Sequence, residues 1–119
     1  MVYTAQSRAL AALEMLVHLD TPLLLRSFLL FEVIFDADSI KEIAQADLPS
    51  NWRDDPVPPG TQIIGDAWVA GAETLIMRVP SALIPEESNF LLNPSHPEFK
   101  RLQFSEPAKF VFDPRLKDR

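Results

Sequence analysis

LIMRVPSALIPEESNFLLNPSH, residues 75–96, decides how this chain is read. An apolar run at 75–79 stops at Pro80, and Ser81 follows at once. After an acidic bend at 85–88, a second apolar run at 90–92 lies between Asn89 and Asn93. Two short strands therefore deliver polar groups where they end, the place where binding and catalytic groups concentrate on a rigid scaffold. Turn chemistry accounts for the same pattern: Ser, Pro and Asn end core strands routinely. On pattern alone the plainer, turn-forming reading is favoured, and the remainder of the chain has to decide.

Outward from that stretch, 119 residues without an internal repeat describe one domain. Hydrophobic residues make up 47% and charged residues 24%, an ordinary globular balance. The net charge of −6 argues against nonspecific binding to nucleic acid, which demands a basic patch. Arg8, Arg26, Arg53 and Arg78 are the cations that could still hold a small anion. The basic tail, 115–119, is expected to be solvated. With no cysteine there is no disulfide, thiolate metal site or catalytic thiol, which fits a reducing, cytoplasmic setting. No apolar run reaches the length of a membrane span, and the N-terminus lacks the pattern of a secretory signal. Three glycines exclude the usual phosphate loop, and His18 and His96 do not make a zinc site.

In chain order, residues 1–5 read as a strand. Ser7 caps a helix running to about Leu19, with Ala9, Ala12, Leu13 and Leu16 as its buried stripe. Glu14 sits at the border of that stripe, beside Leu10 and Val17, where a carboxylate is poorly solvated; it could pair with His18. Residues 28–35 read as a mostly buried strand and 40–44 as a short helix. A proline-rich loop at 47–60, anchored by Trp52, leads to a helix at 62–70 capped by Thr61. Ile63, Ile64, Ala67 and Trp68 form its face, Gly65 permits a close approach, and Gly71 ends it. Residues 97–100 make one helical turn, and 102–104 and 110–112 pair as a hairpin. The sum is an α+β domain with a mixed, largely antiparallel sheet and flanking helices.

Five segments taken together add to this. VYTAQSRALAALEMLVHL, LPSNWR, TQIIGDAWVAG, LIMRVPSALIPEESNFLLNPSHPEF and FVFDPRL, in this order over nearly the whole chain, resemble the RES domain, the toxin of type II toxin–antitoxin modules. That resemblance implies an ADP-ribosyltransferase-like fold and degradation of NAD by cleavage of the nicotinamide–ribose bond, with NAD as substrate rather than cofactor. It implies an Xre-type antitoxin as partner and a toxin homodimer within a larger complex. Of the Arg, Glu and Ser that name the family, Glu14 matches the glutamate and Ser81 the serine. Tyr3 matches a tyrosine of the preceding strand. Glu14 would hydrogen-bond a ribose hydroxyl, Tyr3 would stack on the nicotinamide ring, and Ser81 would contact the carboxamide or orient Glu14. Asn93 and His96 match an NP-x-H pattern, where Asn93 is foremost a turn former. The family arginine lies in a segment upstream of the first strand, which this sequence does not contain. The expectation is a RES domain at 1–119 short of that N-terminal segment, with weak or no NAD turnover. The other reading is a catalytically impaired RES-like module that binds the antitoxin.

Overall fold

Sheet pairing in the computed structural model, which describes residues 1–118, is set by the stretch quoted above. Strand β5 (Ile76–Pro80) and strand β6 (Ser88–Leu92) run antiparallel, with Met77 opposite Leu91 and Val79 opposite Asn89. Strand β1 (Val2–Ala5) extends β6 antiparallel, placing Tyr3 opposite Leu91 and Ala5 opposite Asn89. Strand β4 (Ile40–Glu42) lies parallel to β5, completing a four-stranded sheet in the order β1-β6-β5-β4. The sheet is thus mixed and largely antiparallel, as the sequence implied. Arg119, the end of the basic tail, lies outside the described residues.

The strand period of two sorts these residues between two faces. One face carries Ile76 and Leu92, buried with Leu75 and Leu102 and packed by Val33, Phe35, Ile40, Phe90 and Phe99. The other carries Met77 and Leu91 under Trp68 of helix α3 (Pro59–Gly71). Fully burying each such side chain contributes about 1.5–3 kcal/mol, so these short strands hold because both faces are covered.

Helix α1 (Arg8–Leu16) has the expected cap: the Leu10 amide donates to Ser7 Oγ at 3.1 Å. Its buried residue is Leu10, however, and Ala9 is exposed. The burial stripe is rotated toward the side that Glu14 shares. Asp20 does not merely end this helix. Its carboxylate accepts from the Leu23 amide and caps a further turn, α2 (Thr21–Leu24), whose Leu24 is fully buried.

Six expectations need correction. Residues 28–35 form two strands, β2 (Ser27–Leu30) and β3 (Val33–Ile34), that are half-exposed rather than buried. Their partners are β8 (Ala108–Val111) and β7 (Gln103–Phe104), so β7 and β8 do not form a hairpin with each other. Ser27 lies opposite Val111 and Val33 opposite Phe104, so the two pairings share one antiparallel ribbon whose register slips by one residue. The slip is a bulge. Pro107 has no N–H to give there, and Ser105 instead exchanges bonds with the Glu32 backbone, each 2.8 Å. Residues 40–44 are strand β4 with its extension, not helix, because the Leu75 amide bonds Ser39 Oγ and Ile43 N bonds Arg78 O. Thr61 does not cap α3, which starts two residues earlier on Pro59, and its buried hydroxyl has no hydrogen-bond partner among the described residues. At the other end Ala72, not Gly71, takes the left-handed conformation, with φ 48°. Within α3 the inward residues are Trp68 and, less deeply, Ile64 and Val69, whereas Ile63 and Ala67 face solvent.

Candidate functional site

The site begins with the bend between β5 and β6. Ser81, directly after Pro80, is wholly buried, and its amide donates to Glu87 O at 2.8 Å. Its hydroxyl accepts from the amides of Leu83 and Ile84 at 3.2 and 3.3 Å. Those two bonds use the lone pairs of Oγ and leave its proton to be donated outward. It goes to Glu14 Oε1 at 2.7 Å. A neutral serine in a turn needs no carboxylate partner. Here the turn is built so that the serine has one.

Glu14 reaches this bend from α1, on the side it shares with Leu10. Its Oε1 takes a second bond from Asn89 Nδ2 at 3.1 Å. Both donors converge on one oxygen, and among the described residues Oε2 has no hydrogen-bond partner in the structure. His18 is not involved; it is exposed, and the expected Glu14–His18 pair does not form. Asn89 was legible only as the polar residue before an apolar run. Its role depends on the β1–β6–β5 register, which no local spacing encodes.

Tyr3 lies on the same face of the sheet as Asn89 and Leu91, two residues along β1 from Ala5. Tyr3 is 72% exposed, so it stands outside the core. The structure thus brings Glu14 and Ser81 into contact and puts Tyr3 on their side of the sheet.

The bend is pinned from elsewhere too. Arg53 Nε donates to Ala82 O at 2.7 Å, and Gln45 Nε2 to Pro85 O at 3.0 Å. Gln6, following β1, accepts from the Ser88 amide at 2.8 Å, and its own amide donates to Ser88 O at 3.1 Å. Of the other cations named above, Arg78 is taken up by Glu42 and Ser88, each at 3.0 Å, and lies over Phe90. Asn93 is fully buried and structural: its Nδ2 donates to Val69 O and its Oδ1 accepts from the Ser95 amide. His96 Nδ1 accepts from the Glu98 amide and caps the turn Pro97–Arg101.

Two hollows are lined by neither Glu14, Ser81 nor Asn89. One, about 240 Å³ and apolar, sits between α1 and the β2–β8 ribbon. The other, about 440 Å³, opens beside Glu42, Arg78 and Ser88. Among the described residues no group of His, Cys, Asp and Glu could hold a metal ion, and no helix is long and apolar enough to cross a membrane.

Comparison with known proteins follows the same residues. The RES domain family matches residues 1–113. The chain is 43% identical over 117 residues to Toxin Res of Yersinia enterocolitica serotype O:8, covering 98% of this chain and 77% of that protein. It is 37% identical over 118 residues to the Prs ADP-ribosylating toxin of Sphingobium sp. strain YBL2, covering 97% and 73%. Toxin Res of Photorhabdus laumondii is 36% identical over 118 residues, covering 92% and 75%.

Proposed function

This chain belongs to the RES domain family of toxins, and from that membership we propose that it acts on NAD, breaking the bond between nicotinamide and ribose, with nicotinamide leaving and water or phosphate bonding to the ribose carbon in its place. The observation that carries the reading is the Glu14 carboxylate, held by Ser81 and Asn89 through one oxygen with the other left over. Cleavage of an N-glycosidic bond passes through an oxocarbenium-like state, and a carboxylate fixed beside the ribose stabilises the developing positive charge. In this reading Glu14 Oε2 accepts a ribose hydroxyl, Ser81 orients Glu14, and Tyr3 offers its exposed ring as a stacking surface for nicotinamide. The name of the Sphingobium relative, an ADP-ribosylating toxin, fits chemistry on the same bond with a protein as acceptor.

The partner in this proposal is an antitoxin of the Xre type, and the toxin is a homodimer within the complex. The test is NAD consumption by the purified chain. Slow NAD consumption by wild type and none by Glu14→Gln is the expected result; equal rates for the two overturn it. A second reading has its own observation: among the described residues no guanidinium bonds Glu14, Ser81 or Asn89, and Arg53 and Arg78 are taken up by Ala82 O and by Glu42 and Ser88. It makes the chain an antitoxin-binding module without turnover. Co-purification with an Xre-type partner, alongside NAD levels that stay constant in expressing cells, would support that reading over the first.

A further inference from the structure

Asn89 Oδ1 is buried and has no hydrogen-bond partner among the described residues. A sealed, unpaired carbonyl oxygen costs about 1–3 kcal/mol, and an apolar side chain of the same shape would avoid that cost. Yet the other half of the same amide makes a bond, to Glu14 Oε1 at 3.1 Å, across 75 residues of sequence. The amide can be oriented only one way: turned over, it would set its oxygen against the carboxylate. The fold thus tolerates an orphaned acceptor so that one N–H can reach Glu14.

Three facts give that N–H a function. It converges with the Ser81 hydroxyl on the same carboxylate oxygen. It comes from β6, while Ser81 comes from the end of β5 and Glu14 from α1, so the carboxylate is held from two strands at once. And Asn89 stands on the sheet face that carries Tyr3. Two donors on one oxygen fix the carboxylate rotamer and leave Oε2 as the single acceptor offered outward.

We propose that Asn89 is a positioning residue for Glu14, the second of a pair with Ser81, and that it acts on catalysis through Glu14 without touching the substrate. The proposal rests on the NAD reading for its catalytic consequence, but the hydrogen bond it invokes does not. Removing Asn89 frees the carboxylate to sample other rotamers, so it lowers the rate of the chemical step more than substrate binding. Outer partners of an active group commonly change its performance by about tenfold to a hundredfold.

The test uses the full chain. Asn89→Leu keeps the side-chain shape and removes both the N–H and the orphaned oxygen. Its thermal midpoint is expected to stay at or above the wild-type value, while kcat for NAD falls about tenfold or more with KM within about twofold. Asn89→Ser gives the same kinetic comparison if the leucine variant does not fold. In parallel, ¹⁵N spectra identify the Asn89 side-chain amide by its loss in Asn89→Leu, and its signals are expected to move in Glu14→Gln. An amide signal that stays put in Glu14→Gln overturns the proposal, as does an unchanged kcat in the Asn89 variants. If wild type consumes NAD no faster than Glu14→Gln, the NAD reading fails, and the amide signal alone decides whether Asn89 holds Glu14.

Discussion

Glu14 and Ser81 depend on each other unequally, and substitutions should show it. Glutamine at position 14 keeps a carbonyl oxygen where Oε1 now accepts from Ser81 and Asn89. Glu14→Gln is therefore expected to change stability by less than about 1 kcal/mol while removing the carboxylate. Urea unfolding checks the first part and NAD consumption the second. Ser81→Ala is different, because the hydroxyl also accepts from two amides in a fully buried bend. Stranding them should cost about 1–3 kcal/mol in the same urea measurement, so lost activity in that variant mixes two causes. The border position of Glu14 was legible from helical spacing alone, since a carboxylate between apolar neighbours needs a partner. Ser81 read as a turn residue until the resemblance put it in register with Glu14. The bond from Asn89 to Glu14 was not legible, because the two lie 75 positions apart.

At the scale of elements, the ends of α3 hold most of the unfavourable local geometry. Ala72 at φ 48° is in the left-handed region, which opposes a Cβ. Ala72→Gly is expected to raise stability by about 0.5–1 kcal/mol, seen as a higher midpoint in urea. The helix glycines divide by what they touch. A Cβ on Gly65 would meet only Met1 Cε, at 3.2 Å, the free end of a flexible side chain. Gly65→Ala should therefore gain up to about 1 kcal/mol of helix propensity. A Cβ on Gly60 would meet the Pro49 ring at 3.2 Å, which cannot swing aside, so Gly60→Ala should lose stability in the same assay. The central strands and both long helices were legible because their apolar runs are local, although of the two expected N-caps only Ser7 forms. Residues 40–44 were misread because the polar turn at 36–39 has the residues of a helix cap, whereas β5 and the Ser39 hydroxyl impose an extended chain. The supposed hairpin at 102–112 failed for a similar reason: each strand had a better partner in β2 or β3.

The whole molecule is open for its size. Its accessible surface is 8117 Å², where about 6,500 Å² is usual for a folded monomer of this mass. Leu29, Phe31, Ile34, Phe104 and Val111 of the β2–β8 and β3–β7 ribbon are about half exposed or more. If the proposed self-association uses this ribbon, the mass measured by sedimentation rises with concentration and Leu29→Lys lowers it. Leu29 is 65% exposed, so that substitution should change stability by less than about 0.5 kcal/mol. The C-terminal segment adds an acid-side dependence. The Arg115 side chain, and then its backbone N–H, hold the Asp113 carboxyl below the usual carboxylate range. A pKa lowered by folding adds stability above the unfolded value and loses it as pH falls through the folded one. Asp113→Asn should therefore flatten the acid end of a plot of midpoint against pH. The bend at 81–88 gathers bonds from α1, from the loop before α3 and from the end of β1. Because the Leu83 and Ile84 amides rest on the same hydroxyl that holds Glu14, their hydrogen–deuterium exchange becomes a built-in gauge of that grip. The pair should exchange together, faster whenever a variant or a bound partner draws Ser81 away, and so report on the site in a chain that is not turning over at all.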